Sequence, residues 1–387
     1  MSEYRLAYVY RVYPTKAQET ALTGTLETCR QVYNSLLNWR KHDYEVLGKS
    51  PSKVEQQAAF PRWKKEHAEL SEVYSQVLQN VAGRVDLAFD AFFRRVKAGE
   101  TPGFPRFKSY GQYDSITYPQ SGFGVVQGRL RLSKIGDLAI RLHRPIDGNI
   151  KTCTIRRVRQ KWYACLSCEV GAQVLPPSDE EVGMDVGLKT FASLSNGENV
   201  ENPRFFRKDE KALAKAQRKL AKQTRGSKAR KKARRVVSRI HERIRNRRHD
   251  FVHQTARRLV NRYGVIAVEK LNVKNMSKAP ARKLDPNNEG QFLPNGASAK
   301  AGLNKSISDA SWSMFRFVLT GKAERANRLI VAVNPAYTSQ MCSGCGNIVR
   351  KPLSQRWHDC PHCGLSLDRD TNAAINILSV GQHRVTV

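Results

Sequence analysis

Two sets of residues in this sequence have the types and spacing to do chemistry. The first is Cys342-x2-Cys345, 14 intervening residues, then Cys360-x2-Cys363. Each pair lies in a tight-turn segment, "CSGCG" and "CPHCG", whose following glycine lets backbone amides approach the thiolates. Four thiolates at this spacing suit one tetrahedral Zn2+, and a shell closed by four sulfurs is structural rather than catalytic. His358 and His362 stand close by, but four cysteines leave them no coordination position. Cys165 and Cys168 repeat the short spacing inside "KWYACLSCEV". That segment reads as a strand, which would point the two thiols to opposite faces, so they are expected as ordinary core and surface cysteines.

The second set is three acids, Asp185 in "VGMDVG", Glu269 at the end of an apolar run, and Asp370 in "DRD" at the start of a final helix. An acid in a buried strand is costly unless something cationic compensates it. Taken singly, each has a plain explanation: Asp185 as a turn residue, Glu269 as half of an ion pair, Asp370 as a helix cap. Carried together on two strands and a helix, the three would hold two Mg2+ ions about 4 Å apart. Such a pair activates a water and stabilises the leaving oxygen in phosphodiester cleavage. The residues alone do not say which aspartate of Asp368-Arg369-Asp370 is the ligand, since Asp368 equally suits a cap or an outer position.

These side chains need elements to hold them. "YRLAYVYRVYP" (4–14) alternates loosely and reads as a strand ended by Pro14. Thr15 then suits the N-cap of a long helix with Leu22, Leu26, Val32, Leu36 and Leu37 at helical spacing. A second helix is expected over 71–97, with Val73, Val77, Leu78, Val81, Val85, Ala88, Phe89 and Phe92 on one face. Short strands between 101 and 170 are expected to close with the first strand into a small barrel, the helices being an insertion. The acidic, proline-bearing segment 172–183 reads as a boundary. Beyond it come two strands around the Asn196-Gly197 turn, two basic helices broken near Gly226, and a strand over 262–273. The polar segment 279–305 reads as a mobile loop, followed by a helix over 308–328, a strand, the cysteine segment and the final helix.

A chain of 387 residues has room for two or three domains. Lys and Arg total 67 against 34 Asp and Glu, a formal net charge of +33. Such an excess repels itself and implies a polyanionic partner, with nucleic acid favoured over an acidic membrane or protein. Residues 204–248 hold 20 Lys or Arg and three acids, too many to pair internally, so contact with polyphosphate is expected there. No apolar run approaches the roughly 18 residues of a membrane helix, and no secretory pattern stands at the N-terminus. The chain therefore reads as soluble and intracellular, with its cysteines as metal ligands or buried thiols.

Several segments together resemble the TnpB family of transposon-encoded, RNA-guided nucleases related to type V CRISPR effectors. They are "GMDVGLKTFASLSNG", the basic stretch "AKAQRKLAKQTRGSKARKKARRVVSRIHERIRNRRHDFVH", "IAVEKLNVKNM", "SISDASWSMFRFVL", "VNPAYTSQMCSGCG" and "CPHCGLSLDRDTNAAINIL", with "YRVYPTKAQETAL" and "TPGFPRFKSYGQYDSITYP" nearer the N-terminus. The resemblance covers nearly the whole chain. It implies an α+β, α/β multidomain fold: a wedge β-barrel (1–14 and 99–172) with an inserted helical recognition domain (15–98), then a RuvC-like nuclease domain of RNase H type (178–334 and 366–387). Within the latter it implies a basic helical insertion (204–255) and a zinc ribbon (335–365).

The family's three metal-binding acids map onto Asp185, Glu269 and Asp370, the second aspartate of the pair. The resemblance further implies a guide RNA from the transposon's end and a short motif read beside the target. The guide pairs with one strand of double-stranded DNA, and a single Mg2+-dependent site cuts both strands. Protein partners are not evident, and the expected location is the cytoplasm, on the nucleoid when bound to target. Candidate nucleic-acid contacts are Gln76, Gln79, Lys108 and Ser115, with Arg230, Lys231, Arg234, Arg235, Arg247 and Arg248 in the basic stretch. Glutamine can pair with adenine edges. A guide-directed repressor without efficient cleavage is the alternative, which retention of all three acids argues against. A self-sufficient transposase would want a separate DNA-binding domain such as a helix-turn-helix, and none stands out. A structural zinc-ribbon RNA-binding protein would leave the three acids idle.

Overall fold

The computed structural model describes residues 3–288, 290–352 and 354–385. It divides into Met1–Gly171 and Ala172–Val387. Among the described residues, no helix is long and apolar enough to cross a membrane.

The first unit runs β1 (Tyr4–Tyr13), α1 (Lys16–Leu47), α2 (Lys53–Ala58), α3 (Phe60–Glu66), α4 (Ala68–Ser71), α5 (Ser75–Lys97), β2 (Ser115–Tyr118), β3 (Phe123–Val126), β4 (Arg129–Leu132), β5 (Gly136–Arg141), β6 (Asn149–Val158) and β7 (Lys161–Val170). Alternation in β1 buries Tyr8, Tyr10 and Val12, and the strand pairs antiparallel with β7 from Tyr4↔Val170 to Val12↔Trp162. Thr15 caps α1 through a reciprocal box with Gln18, and Gly48, with φ 67, ends it.

The strand order is linear, β2-β6-β7-β1-β5-β4-β3. No ladder joins β2 to β3 among the described residues, so the expected barrel is corrected to an open seven-stranded sheet. Helices and sheet share one core, with Leu22, Leu36, Leu78 and Val81 in the same cluster as Tyr10, Ile116 and Trp162. The expected helix over 71–97 is interrupted, because α4 ends at Ser71 and α5 starts at Ser75. The ring of Tyr74 stacks on Tyr118, centroids 5.8 Å apart, and its hydroxyl lies 2.9 Å from Ser121 Oγ, which holds the backbone out of the helix.

The second unit runs β8 (Glu181–Val186), β9 (Thr190–Leu194), β10 (Asn199–Glu201), α6 (Phe205–Ala221), α7 (Lys228–Arg262), β11 (Val265–Glu269), α8 (Val273–Met276), β12 (Lys283–Leu284), β13 (Phe292–Leu293), α9 (Ala297–Ala310), α10 (Trp312–Arg325), β14 (Leu329–Val333), β15 (Trp357–Asp359), β16 (Ser366–Asp368) and α11 (Arg369–Val385). Its main sheet has the order β10-β9-β8-β11-β14, an antiparallel meander continued by two strands parallel to β8. Val182 and Met184 of β8 and Ile266 and Val268 of β11 pack with Val252, Ala256, Phe315 and Leu319 of α7 and α10.

The alternate residues face α11, whose Ile377 packs with Ala267, Val331 and Val333. This face admits no bulk: a Cβ on Gly183 would lie 2.0 Å from the carbonyl oxygen of Ala374. Two expectations change here. The polar segment 279–305 contains most of α9, and Ser311, with φ 58, separates α9 from α10. The basic helix α7 does not stop near 255 but continues to Arg262, where Val252, Thr255, Ala256, Leu259 and Val260 become buried against the sheet.

Candidate metal-binding sites

Register brings two of the acids together. Ala267 pairs with Gly183 in the parallel ladder of β11 and β8, so two residues on, Glu269 and Asp185 fall side by side on the face covered by α11. The N-terminus of α11 lies over that same end of the sheet and carries Asp370. Asp185 feels the charge of the other two. Burial, then the negative charges of Glu269 and Asp370, push Asp185 up to about 8, with Arg369 partly offsetting them. Burial also raises Glu269, opposed by a hydrogen bond from Thr338 Oγ1 to Glu269 Oε1 of 2.8 Å. Burial and the neighbouring Asp368 raise Asp370, against the cations Arg356, Arg369 and Lys189. Three partly buried carboxyls brought to one end of the sheet could hold a hard divalent cation.

The three residues of "DRD" have separate roles. Asp368 Oδ1 accepts from the amides of Asp370 (2.9 Å) and Thr371 (3.2 Å), which makes it the cap of α11. Arg369, 5% exposed, donates to the carbonyls of Pro352 (2.8 Å) and Gln355 (3.3 Å). Asp370 faces the other acids, with Arg356 Nη1 3.7 Å from its Oδ1. Thr338, Arg356 and Lys189 were not visible as site neighbours in the sequence, because nothing local marks which hydroxyl or cation reaches a distant carboxylate.

Among the described residues, the four cysteines are the one group of three or more His, Cys, Asp or Glu whose donor atoms close up as metal ligands do, all within 4.8 Å of one another. The three acids do not close to that extent. Sγ atoms of Cys342 and Cys363, and of Cys345 and Cys360, lie 3.6 Å apart. A tetrahedron with Zn–S bonds near 2.3 Å requires about 3.8 Å, so the cluster fits zinc. Gly346 and Gly364, at φ 75 and 73, donate to the carbonyls of Cys342 and Cys360 and close the two knuckles. The backbone amide and side chain of Asn347 stabilise the Cys345 thiolate and lower its pKa to about 6. His358 is buried beside Lys351 and is not in the thiol cluster. Cys168 is buried and Cys165 half-buried on β7, away from any such group.

The candidate nucleic-acid contacts divide. Lys231, Arg234 and Arg235 are exposed on α7 and have no ion-pair partner among the described residues. Arg230 is engaged instead, donating to the carbonyls of Leu220 (3.1 Å) and Gln223 (2.7 Å) at the end of α6. Arg247 lies 3.6 Å from Asp209, and Arg248 pairs with buried Asp309 at 2.9 Å. Those three guanidiniums hold the helices together. In the first unit, Gln79 is exposed, whereas Gln76 accepts from the Ser121 amide at 3.1 Å. Ser115 accepts from Arg84 through its carbonyl at 2.7 Å, and the Lys108 ammonium lies over the Tyr33 ring at 5.6 Å.

Residues 165–279 match the family model described as "Probable transposase", and residues 312–377 match "Cas12f1-like, TNB domain". Residues 1–49 match a model described as "Helix-turn-helix domain", although the described residues there form one strand and one unbroken 32-residue helix. The cryo-EM structure of a Cas12f1–sgRNA–target DNA complex shares the fold, with a TM-score of 0.57 over 93% of this chain and 82% of that one at 16% identity. A Streptomyces pristinaespiralis protein described as "Putative RNA-guided DNA endonuclease" is 36% identical over 98% of this chain and 90% of its own. The Escherichia coli K12 protein described as "Putative RNA-guided DNA endonuclease InsQ" is 32% identical over 97% and 92%. With identity at this level sustained across nearly the full length of both relatives, the chain belongs to the TnpB family of RNA-guided DNA endonucleases.

Proposed function

We propose that this protein is a guide-RNA-directed endonuclease that cuts double-stranded DNA at one metal-dependent site formed by Asp185, Glu269 and Asp370. The observation that carries this reading is the alignment of Asp185 with Glu269 on adjacent parallel strands, facing the end of the helix that bears Asp370. The antiparallel meander with two further parallel strands is the arrangement of an RNase H-type, RuvC-like nuclease core. Two Mg2+ ions held by the acids would stabilise charge on the attacking and leaving oxygens of a phosphodiester. The acids supply the negative charge that captures and spaces those ions. Lys189 and Arg356, which offset the charge on Asp370, would be available to a DNA phosphate. Sequence specificity would reside in pairing between guide and target strand, with the protein contributing backbone charge and recognition of a short neighbouring motif. The guide would come from the end of the encoding transposon. A guide-directed repressor is disfavoured, because all three acids are present and the charges of Glu269 and Asp370 act on Asp185.

Protein purified from its host should carry one discrete RNA. Cutting of a duplex should require that RNA, Mg2+ and a matched target bearing the motif. Cleavage by RNA-free protein would overturn the reading.

The basic helix gives a second test, on binding alone. Replacing Lys231, Arg234 and Arg235 together by alanine should flatten the salt dependence of RNA binding by roughly 2 in log–log slope. Arg230→Ala should leave that slope alone and lower the melting temperature, since this guanidinium satisfies carbonyls at the end of α6. An unchanged slope in the triple variant would remove this face from the RNA contact.

A further inference from the structure

The turn that leads into the zinc ribbon also reaches Glu269. Thr338, 5% exposed, follows β14 by five residues. Tyr337 before it has φ 64, a left-handed backbone rare for a bulky residue, and its carbonyl accepts from the amides of Gln340 and Met341 at 2.9 Å each. The turn aims Thr338 Oγ1 at Glu269 Oε1, 2.8 Å away, with the carbonyl of Pro335 at 3.1 Å. A hydroxyl has one proton to give, and an ionised carboxylate is the stronger acceptor.

Helix α11 holds the same turn. Asn376 Nδ2 donates to the carbonyls of Thr338 (2.9 Å) and Met341 (2.7 Å). Asn372 Nδ2 donates to the Met341 carbonyl at 2.7 Å, and its Oδ1 accepts from the Ser343 amide at 3.0 Å. Both amides are buried, at 0% and 3% exposure, so breaking these bonds would strand polar groups away from water. Cys342 lies between Met341 and Ser343, and Asn372 lies two residues beyond Asp370. One buried network therefore joins the first zinc knuckle, the helix that carries Asp370, and Glu269.

We infer that Thr338 is a positioning residue that orients Glu269, and that Asn372 and Asn376 set Thr338 from α11, so the zinc knuckle fixes the spacing of Glu269 and Asp370. The inference rests on the reading of Asp185, Glu269 and Asp370 as a divalent-cation site. Groups that orient a metal ligand without touching the metal commonly change affinity by 10- to 100-fold.

The test is titration of the full-length, RNA-bound protein with Mn2+ alone, followed by EPR of the free ion, with Asp185→Ala as the blank. Thr338→Val should weaken the Asp185-dependent binding about 10-fold, with one zinc per chain retained. Thr338→Ser, which keeps the hydroxyl, should restore affinity to within about 2-fold. In cleavage assays the valine variant should need about 10-fold more Mg2+ for half-maximal rate while reaching a near wild-type rate at saturation. Thr338→Ala gives the same readout where valine is not accommodated. Wild-type affinity in Thr338→Val or Thr338→Ala, or a serine variant as weak as valine, overturns the inference. Identical Mn2+ binding by wild type and Asp185→Ala would instead remove the cation site itself.

Discussion

Asp185→Asn should abolish cleavage and at the same time make the protein harder to melt. On the proposed two-cation site, losing one anionic ligand would remove several kcal/mol of transition-state stabilisation. At ~1.4 kcal/mol per decade, that is about a thousandfold in rate. The stability gain has the opposite sign because the carboxyl is held against its own preference. Burial and two neighbouring carboxylates push Asp185 up to about 8 from an ordinary 3.8, so the folded chain binds this proton more tightly than the unfolded chain does. Ionisation therefore favours unfolding: the penalty is absent below pH 4, grows between pH 4 and pH 8, and is full above that. Discounted for partial exposure, the asparagine variant should gain roughly 2–3 kcal/mol at pH 8, about 5–10 °C in melting temperature, in buffer without magnesium. At pH 4.5 the two proteins should melt nearly together. Full cleavage by the variant, or a melting difference that does not change with pH, would sink the assignment of Asp185.

The sequence carried the types of the site residues but little of their setting. Three acids in an acid-poor, basic chain stand out by position: one among glycines in an apolar strand, one ending such a strand, one at a helix start. Their adjacency depends on β11 pairing with β8 across some 80 residues of intervening chain, and such non-local register has no local signal. Thr338 is invisible for the same reason. Local chemistry fared better at chain reversals, where Thr15, Gly226, Gly346 and Gly364 stand at helix ends and knuckles. The polar segment 279–305 hid most of α9, because only Ile307, Asp309 and Ala310 of that helix are buried and no apolar stripe announces it. Charge counting does not separate the arginines of the basic face. A run of arginines does not reveal that Arg230, Arg247 and Arg248 are already committed to carbonyls and buried acids. Most strands of the first unit were legible, β3 excepted, but whether a sheet closes depends on its twist and on pairing between its outermost strands. Here β2 and β3 remain edges.

Cys360→Ser should release the zinc and with it the cleavage activity, through the ribbon rather than through any contact with DNA. Among the described residues, the segment between β14 and α11 is held within itself by a three-pair ladder of β15 with β16, a bridge of Met341 with Ile348, and the knuckles around four thiols. Segments this short do not bury enough surface to fold alone, and metal binding supplies the folding free energy. Cys360 is 4% exposed, so no solvent ligand readily replaces its sulfur. Zinc content should fall from one to near zero per chain, and cleavage should fall by at least about 100-fold as the turn bearing Thr338 loses its anchor. RNA binding should stay within about 2-fold, because Lys231, Arg234 and Arg235 lie on α7, whose own packing against the sheet does not involve the ribbon. Cys168→Ser on β7 should leave zinc content unchanged, which separates loss of a ligand from loss of a buried thiol. A serine variant at 360 that cleaves normally without zinc would show that the ribbon does not govern the carboxylates. One that loses RNA binding in parallel would show that the ribbon supports the whole unit rather than its active end.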